Sequence, residues 1–112
     1  MGMISSVPRA SFIFRWVTRP LTRARSATRV PYCSATLAKA LAKHKITVNA
    51  VSPGFIDSGS MDAEELKSMA KAIPAGHVGT TDDAAGAALY LLSEEAAYVT
   101  GANIHVSGGW GI

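Results

Sequence analysis

Hydrophobic positions change period several times along the chain, and the clearest block is Ile46–Ile56, ITVNAVSPGFI. β-Branched and apolar residues crowd this run and a Pro-Gly pair closes it, the pattern of a buried strand emptying into a loop. Ile46, Val48 and Ala50 fall on one side of such a strand, and Thr47, Asn49 and Val51 on the other. Both sides are largely apolar, which suits a sheet covered by helices. Pro53 has no N–H to give to a ladder, and Gly54 lets the backbone turn sharply or lie close to a bound molecule. In an open α/β sheet, a loop at the carboxyl end of a strand is where ligands sit.

Helical spacing flanks this strand. Leu37, Ala38, Leu41 and Ala42 recur on one face, with Lys39 and Lys43 elsewhere on the wheel in solvent, which predicts a helix from about Ser34 to Lys43. After the Pro-Gly loop, Leu66, Met69, Ala70 and Ile73 follow i, i+3, i+4, i+7. Capping groups lie in Asp57–Ser60, and Asp62, Glu64 and Glu65 fall in the first turn, where the helix dipole favours acids. Pro74 is the expected stop, and Gly76 and Gly79 make a loop. Thr80 or Thr81 then caps a further helix with Asp82 and Asp83 in its first turn and a stripe of Ala84, Ala87, Ala88, Leu91 and Leu92. A last strand, Asn103–Val106, ends at Ser107-Gly108-Gly109. Met1–Val30 has no sustained period: the cluster Phe12, Ile13, Phe14, Trp16, Val17 is interrupted by Arg15 and limited by Pro20, so any element there is brief. Two strands, Ile46–Ser52 and Asn103–Val106, with three helices cannot close a doubly wound sheet. Either a partner covers the open faces or the monomer is poorly ordered.

Length and charge narrow this picture. A chain of 112 residues allows one domain with a modest core. Its longest uninterrupted apolar stretch, Ala84–Leu92, falls far short of the roughly 20 residues a membrane-spanning helix requires, so no membrane partner is expected. One cysteine, Cys33, allows no internal disulfide and by itself no zinc site, which makes a reducing compartment the default. Residues 1–30 hold six arginines and no acid, whereas residues 31–112 hold five lysines against eight acids. The basic character therefore belongs to the first thirty residues alone, and nucleic-acid binding, which needs basic residues on a folded face, is not expected.

Val48-Asn49-Ala50-Val51-Ser52-Pro53-Gly54-Phe55-Ile56, followed by IPAGHVGTTDDAAGAALYLLSEEAAYVTGANIHVSGGW from Ile73 to Trp110, resembles the carboxyl-terminal part of a short-chain dehydrogenase/reductase, nearest to the 3-oxoacyl-acyl-carrier-protein reductase type. The resemblance runs from about Lys45 to Trp110. It implies an α/β, truncated Rossmann-like (doubly wound) fold with few strands, and NAD or NADP as cofactor. It also divides the chain into a basic, divergent leader at 1–30, poorly ordered, and the carboxyl-terminal part of the reductase domain at 31–112. Three readings of the leader stay open: an organelle-targeting segment, a disordered basic tail, or disturbed coding sequence. The last is favoured because Ile4-Ser5-Ser6-Val7 resembles the family strand end that carries a catalytic serine.

Enzymes of this family pass a hydride between a nicotinamide and a carbonyl or alcohol carbon while a tyrosine hydroxyl exchanges a proton with the substrate oxygen. By resemblance Tyr32, which opens Tyr32-Cys33-Ser34-Ala35, matches the tyrosine and Ser6 the serine. A free tyrosine has a pKa of about 10 and is roughly one part in a thousand ionised near neutrality, so the family places a lysine ammonium at Tyr+4. Here that position is Thr36, which carries no charge. Lys39 lies at a similar angle but about 10 Å along the axis from Tyr32, against about 6 Å for a residue at +4. Ser6 to Tyr32 is wider than the family spacing and Tyr32 to Val48 narrower. None of the ten glycines forms the family's Gly-x-x-x-Gly-x-Gly turn, which sets a pyrophosphate on a helix N-terminus. Pro53, Gly54, Ile56 and Ser58 match family positions that contact the nicotinamide; an ordinary turn after a strand is the competing reading.

Together these features imply an NAD(P)-dependent oxidoreductase in an inactive or partial form, or else a non-catalytic oligomerisation module derived from that family. The matching partners are a second copy or a protein covering the open sheet, and the compartment is cytoplasmic unless the leader directs it to an organelle. His44, His77 and His105 lack metal-ligand spacing and read as surface or loop residues. Trp110 and Tyr98 read as packing anchors.

Overall fold

The structure is a computed structural model and describes residues 11–15 and 29–112, with 11–15 and 29–33 given by backbone alone. Three parallel strands form its sheet: β1 (Ser11–Arg15), β2 (Thr47–Pro53) and β5 (Asn103–Val106), with β2 in the centre. Ser11 pairs with Thr47 and Arg15 with Val51, while Ala50 pairs with Asn103 and Pro53 with Val106. A second, two-residue parallel ladder joins β3 (Ile56–Asp57) to β4 (Gly79–Thr80). Strands of one direction need crossovers, here α1 (Arg29–Leu41) between β1 and β2, and α2 (Ala63–Ala70) and α3 (Thr81–Leu92) between β2 and β5.

Every residue from Thr47 to Val51 is buried, so β2 is covered on both faces. Helices α1 and α3 both pack on it, and α3 also reaches β1 and β5. Among the described side chains, Ala38, Val48, Ala50, Val51, Ile73, Leu91 and Ala96 are the buried apolar members of the core. This is the truncated Rossmann-like architecture expected. It has one more strand in its main sheet than the sequence reading counted, because β1 lies within the first thirty residues. Its apolar centre is three residues long and acquires meaning only against β2.

Helix ends depart from the spacing in physically simple ways. Helix α1 begins at Arg29, ahead of Ser34, with Pro31 in its first turn, where a missing N–H costs nothing. It runs into a 3₁₀ turn (Ala42–His44) closed by Lys45 in left-handed conformation. Its inward residues are Ser34 and Ala38, whereas Leu37 and Ala42 are exposed. The cap of α2 is Asp62 itself, not Asp57–Ser60: its Oδ1 accepts from the N–H groups of Glu64 and Glu65 at 3.0 and 2.9 Å, and Glu65 reaches back to the Asp62 N–H. That helix stops at Ala70, not at Pro74, and Ile73 is buried from a turn beyond it. The residue before a proline is driven out of the helical region, and the unwinding starts before it. Helix α3 is capped by Thr80, as the sequence allowed, and Leu91 is its buried anchor. Leu92, expected on the inner stripe, is exposed.

Candidate functional site

Parallel strands bring the carboxyl ends of β2 and β5 to one edge, and the segments leaving them meet there. Ser52 Oγ donates to Asn103 Oδ1 at 2.8 Å, and the Gly54 N–H donates to the Val106 carbonyl at 2.9 Å. A Cβ on Gly54 would stand 2.9 Å from Ser107 Cβ and 3.0 Å from its Cα. Gly54 is therefore needed for the close approach of the β5 exit to the β2 exit, a role independent of any ligand.

Beyond Gly54 the loop is held on two sides. The Phe55 ring meets the Trp110 ring with centroids 4.6 Å apart and planes tilted by 57°. On the other side the Phe55 carbonyl accepts from the Gly79 N–H at 3.0 Å, and Ile56 Cδ1 fills the space a Gly79 side chain would need. Asp57 Oδ1 accepts from the Gly59 N–H at 2.7 Å, a local turn that leaves the Ser58 hydroxyl exposed, 3.5 Å from Ser60 Oγ. Pro53, Gly54 and Ile56 are half-buried. Four of the residues singled out for the nicotinamide thus lie on one braced loop at the sheet edge where α/β proteins bind ligands.

The helix N-termini that follow this loop are occupied by the chain's own acids. Asp62 caps α2, with Glu64 and Glu65 beside it. At α3 the N–H and hydroxyl of Thr80 both donate to Asp83 Oδ2, at 2.7 and 3.0 Å. Those bonds, with a smaller attraction from His77, hold the Asp83 carboxyl below its ordinary value. At each terminus the acids oppose the positive field that a helix start otherwise offers a pyrophosphate, and the N–H groups of Glu64, Glu65 and Asp83 are already bonded.

The two residues matched by resemblance to the family's catalytic tyrosine and serine are described only in part. Tyr32 lies in the first half of α1 and is placed by its backbone; Ser6 lies outside the described residues, as do most of those assigned to the leader. Thr36 and Lys39 are exposed on α1. His44, His77 and His105 are all exposed, and no group of three metal-ligating side chains occurs among the described residues. Trp110 is a packing anchor; Tyr98 is not, being fully exposed. Among the described residues no helix is long and apolar enough to cross a membrane.

Sequence reasoning gave Asn49 no particular role. Its side chain is 1% exposed, donates from Nδ2 to the Val99 carbonyl and accepts at Oδ1 from the Ala102 N–H, both at 3.0 Å. The Val48 N–H donates to Thr100 Oγ1, and the Val48 carbonyl accepts from the Gly101 N–H. Residues 99–102 are thereby clamped to the start of β2, which sets the line along which β5 approaches. The only sequence signal was a polar residue inside an apolar strand, and buried polar groups demand partners.

Comparison with known proteins agrees with this geometry. The family model for enoyl-(acyl carrier protein) reductase matches residues 27–111. Nodulation protein G of Rhizobium sp. (strain N33) is 47% identical over 79 residues, which are 68% of this chain and 32% of that protein. The 3-oxoacyl-(acyl-carrier-protein) reductase FabG of Escherichia coli (strain K12) is 39% identical over a stretch with the same coverage. Among solved structures, YwfH, an NADPH-dependent reductase involved in bacilysin biosynthesis, superposes with a TM-score of 0.63 at 33% identity, covering 71% of this chain and 35% of YwfH. A blue fluorescent protein from a metagenomic library, in complex with NADPH, gives 0.66 at 32% identity, covering 74% and 34%. The chain spans about a third of the length of these relatives. With the family model covering most of its residues and the parallel sheet of its relatives in place, this chain belongs to the short-chain dehydrogenase/reductase family, as a 3-oxoacyl-(acyl-carrier-protein) reductase-like, carboxyl-terminal part of the fold.

Proposed function

We propose that this chain carries the nicotinamide-facing wall of a cytoplasmic NAD(P)-dependent carbonyl/alcohol oxidoreductase, in a form that does not turn over by itself. The observation behind this reading is the loop Pro53–Ser58, which leaves the sheet at its carboxyl edge and is braced there by Ser107, Trp110 and Gly79. The nicotinamide half of a dinucleotide fits these residues: Pro53, Gly54 and Ile56 offer half-buried apolar and peptide surface, and the Ser58 hydroxyl is exposed to meet a carboxamide. A reduced nicotinamide bound there would supply a hydride to a carbonyl carbon. Proton delivery to the carbonyl oxygen falls to Tyr32, and Thr36 gives that hydroxyl no positive charge to help it ionise. The pyrophosphate half does not fit the starts of α2 and α3, whose carboxylates would repel it.

Binding should therefore be weak and insensitive to the adenine side. NADPH titrated against the purified chain, followed by nicotinamide fluorescence, is expected to approach saturation only near a Kd of about 1 mM. Nicotinamide mononucleotide should shift the amide resonances of Gly54 and Ser58 over the same range. Saturation near micromolar NADPH would show that a complete dinucleotide site exists, and unmoved Gly54 and Ser58 resonances would remove the loop from the binding surface.

A second reading, an oligomerisation module, is favoured by the outer face of α3. Leu89 and Leu92 are 66% and 56% exposed and share that face with Ala85 and Gly86, where an added Cβ would meet nothing. Strand β5 is an edge of the described sheet beside it. Light scattering should find a dimer or larger species, and Leu89→Lys should return it to monomer without loss of helicity; a monomeric parent chain would end this reading.

A further inference from the structure

We infer that Trp110 is a positioning residue for the nicotinamide-facing loop, acting through Phe55. This rests on the reading of Pro53–Ser58 given above. Phe55 is the one side chain of that loop whose ring is engaged by another ring, and the partner comes from the turn after β5, fifty-five residues away in the chain. The turn itself is stiff. The Trp110 N–H donates to the Ser107 carbonyl at 3.1 Å, the Ala75 N–H donates to the Gly108 carbonyl at 2.9 Å, and Gly108 and Gly109 sit against Ile73, Pro74 and Ala75 with no room for a side chain. Ile73 is buried, so the turn is tied to the core.

Phe55 therefore leans on an anchored surface, whereas its flanking residues leave the loop in two directions: Gly54 back to Val106 and Ser107, Ile56 across to Gly79. A tilted aromatic pair fixes both the separation and the angle of its partners, which a purely aliphatic contact does not. Removing the indole leaves this stretch held only by the Gly54 contacts with Val106 and Ser107 and by the bond from the Gly79 N–H to the Phe55 carbonyl, and loosens the peptides between them. Those are the peptide groups on which a planar nicotinamide would rest, so the pair sets the plane of the site without itself touching the ligand.

The test uses the full chain with Trp16→Phe as background, so that Trp110 is the sole indole. Trp110→Ala and Trp110→Phe are compared by amide hydrogen exchange and by resonance shifts with nicotinamide mononucleotide. In Trp110→Ala, exchange at the Gly79 N–H, which the Phe55 carbonyl accepts, should rise by about tenfold, and the mononucleotide affinity should fall by a similar factor. Exchange at the Ala50 N–H, bonded to the Ala102 carbonyl within the sheet, should be unchanged, which separates loop loosening from general unfolding. Trp110→Phe keeps a ring in place and should recover both losses. Unchanged Gly79 exchange in Trp110→Ala overturns the inference. So does Gly79 exchange that rises while mononucleotide affinity stays at the background value, since the brace would then serve the fold alone. If the background chain shows no mononucleotide shifts, the site reading fails and the inference falls with it, and the exchange data still report whether the ring pair braces the loop.

Discussion

Replacing Asn49 by leucine should destabilise the fold by about 2–5 kcal/mol, the sum expected when two buried backbone groups lose their partners together. The Val99 carbonyl and the Ala102 N–H both depend on this one amide, and leucine of similar size would keep water away from both. The stability of a small domain is of order 5–15 kcal/mol, so the loss would be a large share of the whole. Asn49→Asp sharpens the test: the shape is kept and Oδ1 can still accept from Ala102, but nothing donates to Val99 and a charge is buried. Urea unfolding followed by circular dichroism measures both variants. A loss below about 1 kcal/mol for leucine would mean that residues 99–102 are not clamped to β2 in solution.

Gly108→Ala should cost about 2–4 kcal/mol, because backbone conformation and packing oppose the new methyl at once. The residue sits at φ +61°, where a side chain is strained, and its Cβ would stand 2.9 Å from Ile73 Cγ2 and 3.0 Å from Ala75 Cβ. Ile73 is buried and the Ala75 N–H is bonded to Gly108, so neither neighbour yields easily. Gly111→Ala is the matched control: φ is +78° there but nothing lies within 4 Å, leaving about 1 kcal/mol of backbone strain alone. Thermal melts of the pair separate the two contributions. Equal shifts would show that the turn after β5 is not packed on Ile73 and Ala75.

What could be seen in advance was local. The span of β2, the Pro53-Gly54 exit, the Thr80 cap of α3 and the limits of β5 each carry their cause within a few residues, as β-branched runs, a missing N–H or a hydroxyl three positions before an acid. Long-range causes were invisible. Strand β1 and the β3–β4 ladder are too short to show a period, and their pairing partners lie tens of residues off. Gly54 looked like a sharp turn or a ligand contact, yet its neighbour is Ser107. On α1 the periodicity named a face of Leu37, Ala38, Leu41 and Ala42, of which Ala38 is buried; the inward side turns toward Ser34 instead of Leu37 and Ala42, and small residues there let the helix come close. Of the site, the resemblance supplied the loop from Pro53 to Ser58 as a unit. It could not supply Phe55 and Trp110 as a pair, because a ring-to-ring contact leaves no spacing rule in the chain.

The clamp between β2 and residues 99–102 also governs the order of assembly. Its bonds join positions separated by 50 to 53 residues, so none of them can form until residues 99–102 meet β2. Contacts of that sequence separation require a long loop to close first, and they make folding slow compared with helical proteins of this size. Until residues 99–102 join it, Asn49 sits on an open strand edge with its amide unanswered. The chain therefore passes through a stage in which its central strand is unpaired on one side, and residues 99–106 act as the latch that ends its exposure.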